Sequence, residues 1–236
     1  MYKRVLLKLS GEALGNDNEV FDPAMLDKIC YEIKEAADLG AEIAIVVGGG
    51  NFVRGRTLSK LGVDRISADY MGMMGTVMNA IALEANLKKI GAKAKAFSAL
   101  KVETCEYYNP HKSKELLKDK TICIFGGGIA QPYFSTDTTS ALRASENECE
   151  VILMAKNGVD GVYSADPQID PTATKYDELT FDEILDKNLK VIDATAASLC
   201  KDNDIKALVF DMKEAGNIKK AVSGVPIGTI IKSKEN

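Results

Sequence analysis

Short apolar runs recur along the chain, separated by longer segments in which apolar residues return every three or four positions. Val5–Leu9, Ile43–Val47, Ile122–Phe125, Val151–Met154 and Ala207–Phe210 are almost continuously apolar rather than alternating. Runs of that kind suit strands buried on both faces of a mostly parallel sheet. Helical spacing covers about 23–39, 66–90, 136–148, 180–187 and 194–202. Gly216 weakens the next helical signal, which leaves Glu214–Val222 as a short helix before a last strand at Ile227–Ile231. Strand and helix alternating in this way predict an α/β fold, a doubly wound sheet sandwiched by helices. The segment Asn157–Tyr176 breaks the pattern. Asn157-Gly158, Asp160-Gly161 and Asp166-Pro167 are turn signals around Val159, Val162 and Tyr163, and they predict a small β-hairpin excursion outside the main sheet. No linker, repeat or low-complexity tract divides the chain, so one domain is expected over residues 1–236.

In open α/β sheets, ligands bind beyond the carboxyl ends of the strands. Three glycine-bearing loops occupy that position: Lys8-Leu9-Ser10-Gly11, Gly48-Gly49-Gly50-Asn51 with Arg54-Gly55 soon after, and Gly126-Gly127-Gly128 leading to Ser135-Thr136-Asp137 and a helix. Glycine lets backbone N–H groups approach phosphate oxygens with no Cβ in the way, and a helix N-terminus adds partial positive charge. One glycine triplet alone reads as a tight turn; three such loops on one sheet edge read as a phosphate cradle. Neither GxxxxGK[ST] nor the GxGxxG dinucleotide pattern is present.

Lys8 lies inside the apolar run Val5–Leu9. A buried ammonium is costly unless an anion accompanies it. A strand-end lysine reaching out to solvent is the plainer reading, but beside three phosphate-type loops a lysine that binds a transferring phosphoryl group fits better. Arg54 is the second candidate cation. Phosphoryl transfer is catalysed mainly by positioning and charge neutralisation. A phosphate acceptor is already anionic near neutral pH, its second pKa being about 6, so it needs no general base. A site rich in cations and poor in bases therefore suits an anionic acceptor. Asp137 could be a base, but its position just before a helix also suits helix capping; a carboxylate among phosphates would otherwise orient Lys8 or a hydrated Mg²⁺.

Composition narrows the classes. The 236 residues are 46% hydrophobic and 27% charged with a net charge of −4, an ordinary globular balance with no overall basic character for nucleic acid. No apolar run reaches bilayer length. The start Met1-Tyr2-Lys3-Arg4 lacks a secretion-signal pattern. The five cysteines are scattered without CxxC and His111 stands alone, so reduced thiols in a cytoplasmic setting are expected, with no zinc motif.

Lys8-Leu9-Ser10-Gly11-Glu12, Val47-Gly48-Gly49-Gly50-Asn51 and the stretch from Val159 to Pro167 together resemble the amino acid kinase superfamily. Within it, Ala68-Asp69-Tyr70-Met71-Gly72-Met73-Met74 and Gln131-Pro132-Tyr133-Phe134-Ser135-Thr136-Asp137 are similar to the bacterial uridylate kinases, from about residue 3 to about 231. The resemblance implies phosphoryl transfer from MgATP to UMP, giving UDP and ADP, in pyrimidine nucleotide biosynthesis. It implies an N-terminal half holding UMP and a C-terminal half holding ATP. Lys8, Arg54 and Asp137 would be catalytic. Lys8, Leu9, Ser10, Gly11, Gly50 and Arg54 would surround the ATP phosphates, and Asn157, Tyr163 and Asp166 the adenosine. UMP would be bound by Gly49, Asp69, Ile129, Ala130, Gln131, Pro132, Tyr133, Phe134, Ser135 and Thr136, with Asp69 accepting from the ribose hydroxyls. It also implies a homohexamer with UTP and GTP as effectors. Mg²⁺ is expected with ATP, and no dedicated metal-binding side chain is nominated, because that ion commonly uses phosphates and waters more than protein ligands. The family commonly carries Gly-Thr-Gly-Asn where this chain has Gly128-Ile129-Ala130-Gln131, which removes a hydroxyl and a loop glycine. The Met-rich stretch Met71–Met78 reads as core or subunit interface. The alternatives are a related kinase acting on a carboxylate or carbamate, and a non-catalytic nucleotide-binding member of the fold. Kinases of aspartate and glutamate often carry a further C-terminal domain, which weighs against the first.

Overall fold

A computed structural model describes residues 1–16, 18–52, 62–167 and 169–234. Among these, nine strands form one sheet in the spatial order β4-β3-β5-β2-β1-β6-β10-β11-β9. They are β1 (Arg4–Leu9), β2 (Glu42–Val47), β3 (Ala94–Ser98), β4 (Glu106–Tyr107), β5 (Ile122–Gly126), β6 (Val151–Lys156), β9 (Glu178–Thr180), β10 (Lys206–Asp211) and β11 (Thr229–Lys232). Neighbours pair in parallel except β10 and β11. β7 (Val162–Tyr163) and β8 (Lys175–Tyr176) form a separate antiparallel hairpin, in the segment where turn signals predict one.

The predicted α/β sandwich is present. The strands β1, β2, β5 and β6 are buried along almost their whole length, because helices cover both faces. On one face α1 (Pro23–Ala37), α2 (Arg65–Lys89) and α7 (Asn217–Val222) pack over Val5, Leu7, Ile43, Ile45 and Leu153. On the other, α4 (Thr136–Glu146), α5 (Phe181–Asp186) and α6 (Ala194–Asp202) pack over Leu6, Ala44, Val46, Ile152 and Met154. The helix α3 (Pro110–Lys118) adds Leu117 to that second core.

Local chemistry fixes the helix starts. Asp22 accepts from the N–H groups of Ala24 and Met25 and Pro23 occupies the first turn of α1, Asp64 accepts from Ser67 N–H, and Ser135 from Thr138 N–H. Among the described residues no helix is long and apolar enough to cross a membrane. All five cysteines are unpaired and buried.

The central strand decides where a site can form. β1 pairs with β2 on one side and β6 on the other. The chain builds β2, β3 and β5 outward on the first side before crossing to β6. The carboxyl end of β1 is therefore a topological switch point, where the connections diverge and leave a crevice.

Candidate active site

Lys8 stands at that crevice. Its side chain is 15% exposed, and Nζ lies 2.6 Å from Asp137 Oδ1. The contact is an ion pair without hydrogen-bond alignment, since that oxygen has no hydrogen-bond partner. Asp137 sits inside the first turn of α4, while Ser135 caps the helix. Capping is thus not its duty, and its carboxylate faces Lys8 across the strand end.

The three glycine loops do share one edge of the sheet. β1, β2 and β5 are adjacent and parallel, so their following loops lie side by side. The approach is close: a Cβ on Gly11 would fall 2.6 Å from Gly48 O and 2.9 Å from Gly50 N, distances that only glycine accommodates. Asn79 ties the second loop down, donating to Gly48 O at 2.7 Å and to Asn51 Oδ1 at 2.8 Å. In the third loop Gly127 N–H donates to Thr76 Oγ1 at 2.7 Å. Leu9 is part of the buried core and contributes its carbonyl, which accepts from Gly48 N–H at 2.9 Å. Ser10 caps the short 3₁₀ turn Gly11–Leu14. Arg54 lies outside the described residues.

Two clefts open near the Lys8–Asp137 pair, whose own side chains line neither; Thr136, next to Asp137, lines one and Lys156 the other. The first, of about 670 Å³, is lined by Gly49, Gly50, Asp69, Gln131, Phe134, Ser135 and Thr136, all expected site residues, with Arg65 and Thr139 beside them. Ile129, Ala130, Pro132 and Tyr133 do not line it. Tyr133 is exposed and stacks on the Arg65 guanidinium. Asp69 pairs with Arg65 at 2.9 Å and accepts from Tyr133 N–H at 2.7 Å, so the carboxylate also staples the loop that follows Gln131. The second cleft, of about 650 Å³, is lined by Tyr163, Asp166, Val159, Gly161, Lys156 and Lys190 among others. Tyr163 donates to Asp160 at 2.8 Å. Asn157 lines neither; it borders a smaller cavity of about 100 Å³ with Lys28, Glu32 and Lys213.

Sequence reasoning passes over three residues that shape this site. Arg143, buried in α4, donates to Gly128 O at 3.1 Å, pairs with Glu146 at 2.6 Å and stacks on Tyr108. It anchors the third glycine loop from behind. Asp193, the cap of α6, accepts from Ser135 and Thr138 hydroxyls, joining the starts of two helices. Lys156 ends β6 and lines the second cleft. Burial, and secondarily the Lys8 ammonium, lower its pKa against the opposing pull of Asp137.

The substituted loop also carries strain. Ala130 takes φ +61°, a left-handed conformation that costs a non-glycine residue roughly 1–2 kcal/mol. Ala130→Gly is expected to raise stability by about 0.5–1 kcal/mol, the relief less the added freedom of the unfolded glycine. The urea midpoint measures this, and an unchanged or lower midpoint would show that the loop bears no such strain.

The sequence profile of the amino acid kinase family matches residues 3–211. The uridylate kinase of Pediococcus pentosaceus is 51% identical over 236 residues, covering 99% of this chain and 98% of that protein. The crystal structure of UMP kinase from Bacillus anthracis superposes with a TM-score of 0.96 at 36% identity, covering 99% of this chain and 97% of that one. The crystal structure of UMP kinase from Ureaplasma parvum gives 0.93 at 36% identity, covering 99% and 100%.

Proposed function

The chain belongs to the amino acid kinase family, and on that premise we propose that it transfers the γ-phosphoryl group of ATP to the phosphate of UMP, giving UDP and ADP. The observation that supports this reading is the Lys8–Asp137 ion pair at the carboxyl end of β1, with a cleft bordered by a neighbour of the pair on each side. Thr136, next to Asp137, lines one; Lys156, electrostatically coupled to Lys8 and Asp137, lines the other. The first cleft, built mostly from the N-terminal half and the start of α4, takes UMP. The second, against the β7–β8 hairpin, takes the ATP nucleoside.

In the transfer, a phosphate oxygen of UMP attacks the γ-phosphorus. The bond from that phosphorus to the β–γ bridging oxygen breaks, and its electron pair stays on ADP. No proton has to move, because the acceptor is already an anion. Lys8 neutralises charge on the transferring group, Asp137 holds the ammonium in place, and the N–H groups of the glycine loops and the N-terminus of α4 receive phosphate oxygens.

Among the described residues no cluster of three or more His, Cys, Asp or Glu side chains could hold a metal ion. Asp137 Oδ1, which has no hydrogen-bond partner, would meet the hydration shell of Mg²⁺, an ion that commonly enters with nucleotide phosphates and water. Bound there, the ion would supply charge neutralisation at the β- and γ-phosphates.

The finer family expectations belong to the same reading: cytoplasmic work in pyrimidine nucleotide synthesis, a homohexamer, and UTP and GTP as effectors. An oligomer is supported by α2, where Ile66, Tyr70, Met71, Met74 and Met78 are exposed while Met73 is buried, a face suited to another subunit.

ADP release with UMP, CMP, aspartate and glutamate as acceptors tests the assignment. Turnover with UMP should far exceed the rest. Equal rates with an amino acid would overturn it.

A further inference from the structure

We propose that Lys156 is a second catalytic cation, one that contacts the terminal phosphates of the donor nucleotide from the side opposite the glycine loops. The inference rests on the phosphoryl-transfer reading and assigns it a residue.

Strand register places the lysine. Lys8 pairs with Met154 in the parallel β1–β6 ladder. Paired residues share a face of the sheet, and so do residues two apart on one strand. Lys156 therefore emerges on the same face as Lys8, one step further along the carboxyl end. Burial agrees with this, because Leu6 and Met154 lie in the core beneath α4, whereas Leu7, Leu153 and Ala155 lie in the opposite core. The helix over the Lys8 face is the one that carries Asp137. Three charged groups from three elements thus converge at one strand edge: Lys8 of β1, Lys156 of β6 and Asp137 of α4.

Lys156 has no anion of its own. It makes no ion pair with any described residue, and its hydrogen-bond partner among them is the Val191 carbonyl, at 3.4 Å from Nζ. Asp211, its register partner on β10, is engaged by the N–H groups of Gly158 and Lys213. A largely buried ammonium with a distant carbonyl, and with the nearby Asp137 already paired to Lys8, is unfavourable until a further anion arrives. The proximity of Lys8 adds to the cost, and burial together with that charge lowers the Lys156 pKa. The same side chain lines the cleft assigned to ATP, with Tyr163 and Asp166. A polyphosphate reaching from that cleft toward Lys8 must pass Lys156. The γ-phosphate oxygens would be met by this ammonium from the β6 side and by Lys8 from the β1 side, a contact that a diphosphate cannot make.

The test uses the full chain with Lys156→Met, Lys156→Gln and Lys156→Arg. Lys156→Met is expected to lower kcat with saturating UMP and ATP by about a hundredfold, as loss of one positioned transition-state donor does, with KM for UMP little changed. Lys156→Arg should recover much of the loss. Titration calorimetry with Mg²⁺ and either ADP or a non-hydrolysable ATP analogue gives the second readout. The wild type should favour the triphosphate, and Lys156→Met should lose most of that preference while keeping its ADP affinity. A folded Lys156→Met or Lys156→Gln protein with the wild-type ratio of triphosphate to diphosphate affinity overturns the assignment, whatever its turnover. Failure of the wild type to use UMP would instead strike the acceptor reading, since the binding ratio requires no acceptor.

Discussion

Lys8→Ala is expected to lower turnover with saturating ATP and UMP by at least about a hundredfold, because a positioned cation that meets transition-state charge is typically worth several kcal/mol. The reason lies in the strand end. Lys8 is held at a topological switch point by β2 and β6, is 15% exposed, and has Asp137 at 2.6 Å. On the proposed reading this cation meets charge that develops in the transition state, so the loss should fall on turnover more than on binding. Asp69→Ala provides the contrast. Its carboxylate lines the first cleft and holds Tyr133 N–H, so its removal should weaken UMP binding and leave ATP binding intact. Steady-state kinetics with both substrates varied, alongside thermal melts, separates the two. Near-normal kcat in a folded Lys8→Ala protein would remove this lysine from the reaction.

Much of this arrangement is legible in the sequence because burial on both faces writes strands as unbroken apolar runs. The five strongest runs all become strands, and those strands place the glycine loops on one edge. The runs understate the strands where charged residues complete them: Arg4, Glu42, Lys156, Lys206 and Asp211 are all strand residues. That shortfall hides Lys156. The apolar run reads as ending at Met154, two residues early, which leaves Lys156 outside the run and without the signal of burial that marks Lys8. β3 leaves no signal because Ala94-Lys95-Ala96-Phe97-Ser98 is poor in β-branched residues. Its pairing with β5 and its position in the fold make it a strand, not its propensity. α3 is short and polar, marked mainly by the Asn109 cap and Pro110. Arg143 and Asp193 are invisible for a different reason. Each acts through partners far away in sequence, Gly128 and Tyr108 for one and Ser135 and Thr138 for the other, and either would pass for a solvated helix residue.

The largest expected loss of stability lies at the opposite end of the sheet from the chemistry. Arg4 and Glu42 begin β1 and β2 and are 6% and 4% exposed. Arg4 Nη2 lies 2.6 Å from Glu42 Oε2, Nε donates to the same oxygen at 2.6 Å, and Nη1 donates to Asn147 O at 2.6 Å. Glu42→Ala removes the anion and leaves the guanidinium buried, which should cost about 3–5 kcal/mol in urea unfolding. Replacing both residues by apolar ones of similar volume should cost far less, because no charge is then stranded. Burial raises the Glu42 carboxyl, but the Arg4 hydrogen bonds and charge, with Lys120, outweigh it and hold the carboxyl below its usual range. A depressed folded pKa gives stability that is complete above the unfolded value of about 4.3 and is lost as pH falls through the folded value. The gap between wild type and Glu42→Gln should therefore be full near neutral pH and close progressively below about pH 4. A gap that stays constant into acid would mean that the pair contributes through packing and hydrogen-bond shape, with its charge immaterial. A gap that widens would mean that burial outweighs Arg4 after all and the carboxyl is protonated more readily folded than unfolded.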